Sequence, residues 1–344
     1  MRARVTRRLL ALVTIGACGL AGCASGTSAS TDTPNPTRAE TRTTGEPTSS
    51  PTVPTSAPTA QTAPATSQLL DVDASHPCGR PDAAPDRYDH VIWIWMENKN
   101  SKIIGSPLAS FLSSMASDCG SASNYRDNGV HPSLPNYLLA TSGDVQGVHD
   151  DGGPNQHPTT ADNLFRQVRA TGGSAKSYIE SMDENCQLSG THRYAVRHNP
   201  ATYFTGGDDR SACRRDDVPF DAFANDLRLG SLPSFALIVP NLCHDSHDCS
   251  IKNADDWLRT VVSSITDSDT YKRGRTALFI AWDESVGSGR MPFVAIAPSI
   301  RMGTVVDAAL GHAALLAFTE KALGISERLG AAADAPDLGR AFGL

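Results

Sequence analysis

Two pairs of hard oxygen donors stand at the ends of apolar runs. The run His90–Met96 (HVIWIWM) stops at Glu97-Asn98, and the run 277–282 (ALFIAW) stops at Asp283-Glu284. Apolar runs without alternation suit strands buried on both faces. In an open α/β sheet, ligands gather beyond the carboxyl ends of such strands. Three carboxylates and an amide carbonyl converging there repel one another unless a cation lies between them, so a metal site is the simplest remedy. Either pair alone reads as a turn or a solvated loop. Their coincidence at two strand ends favours the metal.

A third feature is the segment His131-Pro-Ser-Leu-Pro-Asn-Tyr-Leu-Leu-Ala-Thr-Ser-Gly143. Ser133 precedes a predicted helix over 136–140, which puts its hydroxyl at a helix N-terminus. Backbone N–H groups and the helix dipole there favour anions, including phosphate and a developing alkoxide. An ordinary N-cap serine has the same surroundings, and the residues alone do not decide between the two.

The elements that must position these groups are legible as an alternation. Besides His90–Met96 and 277–282, continuous apolar runs at 235–240 (FALIVP) and 292–297 (PFVAIA) predict buried strands. Helical spacing recurs at 108–116, 161–170, 254–265 and 308–323. Strand alternating with helix predicts an α/β fold, a three-layer α/β/α sandwich with a mostly parallel central sheet.

The rest of the chain bounds where such a domain works. Residues 1–22 have a basic start and a short apolar stretch, which reads as a signal peptide rather than a membrane span. Leu20-Ala21-Gly22-Cys23 closes that stretch and resembles a bacterial lipobox, which implies lipidation of Cys23, export, and a membrane contact through the lipid anchor only. Residues 23–68 are dominated by Thr, Pro, Ser and Ala, a composition expected to form a disordered tether. Residues 69–344 are expected to form one catalytic domain. Of eight cysteines, Cys18 leaves with the signal and Cys23 is acylated, so Cys78, Cys119, Cys186, Cys213, Cys243 and Cys249 remain for disulfides in an exported protein. Pairing in sequence order closes the shortest loops and is the expected connectivity; a zinc site competes, but the spacings lack its paired C-x-x-C pattern. The chain carries a formal charge of −7, and the part beyond residue 68 is more acidic still, which argues against nucleic acid as a partner.

Taken in order, HVIWIWMEN, HPSLPNYLLATSG, YIESMDENC, YAVRHNP, VPNLCHDSHDC and FIAWDES resemble the phosphoesterase family of acid phosphatases and, more distantly, phospholipases C, within the alkaline phosphatase superfamily. The look is nearest to actinobacterial secreted acid phosphatases. The resemblance implies that Glu97, Asn98, Ser133, Asp283 and Glu284 hold one divalent metal ion, with calcium, magnesium, manganese and zinc all compatible. It implies that Ser133 is also the nucleophile, that Asn136 binds a phosphate oxygen, and that His131, His198, His247 and, more loosely, His312 lie near the phosphate. Asn241 stands where two-metal relatives have an aspartate, which favours a single metal and leaves Asp245 and His247 either to contact the phosphate or to support the groups that do.

The implied chemistry is hydrolysis of a small phosphate monoester through a phosphoseryl intermediate, with His198 or His247 as acid for the leaving alcohol. A monomer is expected. His149, His157, His192 and His244 read as surface or structural residues. A phospholipase C-like phosphodiesterase or a phosphoinositide phosphatase is the alternative within enzymes; a catalytically silent surface-binding lipoprotein is the alternative outside them.

Overall fold

A computed structural model of the chain describes residues 69–127 and 129–344. The expected signal peptide, the expected lipidation site Cys23 and the expected tether lie outside the described residues. The strands are β1 (His90–Met96), β2 (Gly120–Ala122), β3 (Tyr125–Arg126), β4 (Ala175–Ile179), β5 (Asp217–Pro219), β6 (Phe235–Val239), β7 (Thr276–Trp282), β8 (Arg290–Met291), β9 (Phe293–Ile296), β10 (Thr304–Val306) and β11 (Leu310–Gly311). The helices are α1 (Ser110–Asp118), α2 (Ser133–Ser142), α3 (Leu164–Ala170), α4 (Asp209–Asp216), α5 (Asp221–Leu229), α6 (Ile251–Thr266), α7 (Asp269–Lys272), α8 (His312–Ala322) and α9 (Leu338–Phe342).

Eight strands form the central sheet in the order β10-β2-β9-β7-β1-β6-β4-β5, and β11, β3 and β8 form a small second sheet. Every pairing in the large sheet is parallel except those of β9, which runs antiparallel to both β2 and β7. The three central strands β7, β1 and β6 are buried along their whole length, apart from the half-buried His90 at the start of β1. Trp93 and Trp95, two residues apart and so on the same face of β1, are no more than 1% exposed with ring centroids 5.6 Å apart, and replacing either by alanine costs about 3–5 kcal/mol.

Helices α1 and α6 pack together on one side of the sheet, and α2, α3 and α8 pack together on the other. The α6 helix is capped by Ser250, whose side chain accepts the Asn253 N–H, and it buries Ala254, Leu258, Val261, Val262 and Ile265 at helical spacing. Its Asp255 carboxylate accepts the N–H groups of Phe111 and Leu112 at 2.9 and 2.8 Å, capping α1 from a neighbouring helix. The three disulfides join Cys78 to Cys119, Cys186 to Cys213 and Cys243 to Cys249, the order expected from the sequence. The thiols are thereby unavailable to zinc. Among the described residues no helix is long and apolar enough to cross a membrane.

The observed elements differ from the expected ones in three informative places. The strand expected at 292–297 exists but is the reversed one, and the helix expected from 308 starts at His312 because Leu310–Gly311 pairs with β3. Helix α2 is twice the predicted length and begins on Ser133 itself.

Candidate active site

Adjacent parallel strands end together, and the site is built on those ends. Glu97 follows β1, Asp283 follows β7, and the turn 241–245 follows β6. Backbone bonds lock the three: Glu97 N–H donates to Asp245 C=O at 2.9 Å, and Asp283 N–H donates to Met96 C=O at 3.0 Å. Asn98 sits at φ 48°, a left-handed turn that asparagine tolerates better than most residues, and its N–H is thereby aimed at Asp283 Oδ1, 2.9 Å away. Ser246, at φ 78°, donates its hydroxyl to the Glu97 carbonyl at 3.0 Å and completes the brace.

Ser133 is the first residue of α2, and its side chain does not cap that helix. The hydroxyl instead donates to Glu97 Oε2 at 2.9 Å, while the Tyr137 phenol, one turn along the same face, donates to Glu97 Oε1. The Tyr137 ring stacks on His198, centroids 5.3 Å apart. His198 is buried with Nε2 at 3.3 Å from Glu97 Oε2 and Nδ1 at 3.5 Å from Asp245 Oδ2.

The electrostatics are those of too many carboxylates in too little water. Burial, then the nearby Asp283 and Asp245 charges, push Glu97 well above the usual carboxylate range. Burial likewise lifts Asp283 to about 6 and Asp245 to about 7. Burial holds His198 well below its ordinary range and takes His312 down to about 4, so both imidazoles are neutral near pH 7. Asn98 Oδ1 and Asp283 Oδ2 are buried acceptors without a hydrogen-bond partner. Orphaned oxygens beside ionisable carboxylates fit a divalent cation, and Glu97, Asn98, Ser133 and Asp283 are the residues that would hold it.

The remaining expected residues fall around this centre with differing roles. Glu284 is half-buried and pairs with His131 Nδ1, so those two form one unit at the mouth. His247 is partly exposed with Nδ1 at 2.7 Å from Asp248 Oδ1, and its backbone N–H donates to Asp245 Oδ1 at 2.7 Å. Asn136 was expected to bind a phosphate oxygen, but its amide nitrogen donates to the carbonyls of Val130 and Pro132 at 3.0 and 3.1 Å and braces the turn that presents Ser133. His312 was expected near the phosphate, but its ring nitrogens are taken up by the Asp283 carbonyl at 2.6 Å and the Tyr125 hydroxyl at 3.2 Å. It therefore positions the Asp283 backbone. His149 and His192 are exposed, His157 pairs with Asp150, and His244 pairs with Glu180, as surface and structural roles require.

Four contributors were not visible in the sequence. Tyr137 holds Glu97, and Lys99 donates to the Ser246 and Asn98 carbonyls at 2.6 and 3.2 Å as a cation beside the acidic cluster. Asp151 accepts the Leu134 N–H at 3.0 Å, and Arg197 Nε lies 3.5 Å from Asp151 Oδ2. The helical i, i+4 offset of Tyr137 from Ser133 is the one signal that could have found any of them; Lys99, Asp151 and Arg197 are contributed by loops and short turns.

The site thus joins acidic strand ends of a mostly parallel α/β/α sandwich to a helix-borne serine. The chain belongs to the phosphoesterase family, whose model matches residues 94–326, and it is a phosphoric ester hydrolase. It is 28% identical over 255 residues to a phosphatidylinositol-3-phosphatase of Mycobacterium tuberculosis, a match covering 73% of this chain and 82% of that one. It is 29% identical over 203 residues to a phosphate-repressible acid phosphatase of Penicillium chrysogenum, covering 57% of this chain but only 48% of the fungal protein. Among solved structures, an alkaline phosphatase superfamily protein from Vibrio parahaemolyticus matches with a TM-score of 0.54 at 13% identity, over 81% of this chain and 78% of that one. The lipoteichoic acid synthase LtaP of Listeria monocytogenes matches at 0.51 and 9% identity, over 77% and 79%. These structures share the fold.

Proposed function

We propose that the protein is an exported, metal-dependent phosphomonoesterase of acid phosphatase type that works through a phosphoryl group carried on Ser133. The observation that carries this reading is the pair of orphaned buried oxygens, Asn98 Oδ1 and Asp283 Oδ2, in the same nest as the Ser133 hydroxyl and Glu97. Glu97, Asn98, Ser133 and Asp283, with Glu284 at the rim, would hold one divalent ion, whose positive charge lowers the serine pKa and offsets the negative charge of the phosphoryl group. Its identity stays among calcium, magnesium, manganese and zinc.

The chain's own residues do the rest. Glu97 Oε2 fixes the serine rotamer and faces its proton, and Tyr137 keeps Glu97 from rotating. Ser133 Oγ attacks phosphorus as its proton passes to Glu97 Oε2, the ester oxygen leaves, and the leaving alcohol takes a proton from His247, which Asp248 orients. His198, neutral and walled in, is better suited to holding Glu97 and Asp245 in place than to serving as that acid. Water then attacks the phosphoserine and releases phosphate. The sequence features at 1–22, Cys23 and 23–68, together with three disulfides, support export with a lipid anchor and tether ahead of the domain 69–344.

A phosphoinositide monoesterase is the second reading, favoured by the 82% coverage of the mycobacterial relative. Assaying the purified protein on a chromogenic phosphomonoester, a phosphodiester and vesicles bearing phosphatidylinositol 3-phosphate, each with and without chelator, tests both. Hydrolysis of the two monoesters but not the diester, abolished by thorough chelation, is expected. Diester preference or indifference to chelation would overturn the reading.

A further inference from the structure

The loop 144–158 reaches over the N-terminus of α2 and places a carboxylate there. Asp151 Oδ1 accepts the N–H of Leu134, the residue after Ser133, at 3.0 Å, and Asp151 Oδ2 lies 3.5 Å from Arg197 Nε. Helix α2 lacks a cap of its own: Pro132 has no side chain that can serve, and the Ser133 hydroxyl is committed to Glu97. One anion bridging a helix N-terminal amide and a guanidinium is also how a phosphate group is held.

A comparison within the molecule shows that Asp151 is not a permanent cap. Asp255, which caps α1, is 4% exposed and spends both oxygens on amides of one helix. The Asp151 side chain is 35% exposed and the Arg197 side chain 26%, and each of its oxygens has a different partner. His198, next to Arg197 in the chain, is buried with Nε2 lacking a hydrogen bond and close to Glu97 Oε2, the oxygen that Ser133 contacts. Leu134, which holds Asp151, directly follows Ser133, so the Asp151–Arg197 pair and the serine flank the same end of α2.

We propose that Asp151 is a built-in surrogate for the substrate's phosphoryl group: its carboxylate occupies the Leu134 N–H and Arg197 until a phosphate-bearing ligand displaces it. This rests on the assignment of Ser133 as nucleophile. A phosphoryl group in line with Ser133 Oγ lies within one residue of the Leu134 N–H, takes that donor and Arg197, and repels the like-charged carboxylate towards solvent. No bond to Asp151 forms or breaks. The consequence is that substrate and product both bind against an internal competitor, which weakens inhibition by the released phosphate.

The test uses the full chain and its Asp151→Asn and Asp151→Ala variants, with KM and kcat for a chromogenic monoester and Ki for inorganic phosphate. Asparagine keeps an oxygen for the Leu134 N–H while removing the charge. Both variants are expected to lower Ki and KM together by about threefold to tenfold, the range of one partly exposed charge contact. Unchanged or weaker phosphate binding, including a fall in kcat or melting temperature alone, would show that Asp151 only caps the helix. Ser133→Ala separates the layers: if it is inactive while Asp151→Asn leaves Ki unmoved, only the surrogate role fails, whereas an active Ser133→Ala removes the assignment beneath it.

Discussion

Glu97 concentrates the chemistry at the scale of single residues. One oxygen receives Ser133, the other receives Tyr137, and both belong to a carboxylate whose burial resists ionisation. The Tyr137 phenol is held protonated by burial and by the neighbouring Glu97 and Asp283 charges, so it serves as a donor throughout the working pH range. Tyr137→Phe should leave the serine in place but loosen Glu97, raising the metal concentration for half-maximal activity by about 10–100-fold, as loss of a partner that orients a metal ligand does. A metal titration reads this directly, and an unchanged midpoint would remove Tyr137 from the site. Glu97, Asp283 and Ser133 were legible because each stands where a pattern breaks: the end of an apolar run or the start of a helix. Asn136 and His312 were located by motif, but their contacts depend on which carbonyls come within reach after folding, and those turned them into braces. Asp151 and Arg197 had no pattern to break.

At the scale of elements, the site depends on seating α2. The helix ends at Gly143, φ 75°, where a side-chain carbon would lie 2.1 Å from the Leu329 carbonyl oxygen, and the Gly143 carbonyl accepts the Ala331 N–H at 2.9 Å. Gly143→Ala combines a left-handed backbone with a clash against main chain and should cost about 2–4 kcal/mol in stability, measurable by denaturant unfolding. A cost within 0.5 kcal/mol would mean that the segment around 330 yields freely. The parallel core β6-β1-β7 was readable because strands buried on both faces have no polar face. The reversal of β9 was not, since an apolar strand within the sheet reads the same in either direction. The strands of two or three residues in the small sheet carry too little periodicity to be seen at all.

The whole molecule couples these carboxylates to pH. Glu97 is raised, Asp283 sits at about 6, and Asp245, Asp217 and Glu320 at about 7, so between the ordinary carboxylate range near 4 and these values the metal-free folded state binds more protons than the unfolded chain. Its stability therefore falls as pH rises through that window. The depressed His198 and His312 act oppositely, binding fewer protons folded than unfolded below about 6.5, but two such groups stand against six, since burial also raises Glu284. Thermal melts of chelated protein should fall from pH 5 to pH 7.5, and added divalent ion should restore stability most at the higher pH, where the ligands are ionised. A metal-free melting temperature that rises across this range would contradict the protonation pattern. Reduction of the disulfides is a separate test: opening the loop between Cys78 and Cys119, 41 residues apart, should cost about 2–4 kcal/mol.

The measurement closest to the centre of all this is a rapid acid quench of the protein turning over a phosphomonoester, followed by peptide mass mapping. A phosphoryl group on the peptide at Ser133, absent in Ser133→Ala along with all but about a thousandth of kcat, is the predicted result. A phosphoryl group on another residue, or near-normal turnover by Ser133→Ala, would contradict it.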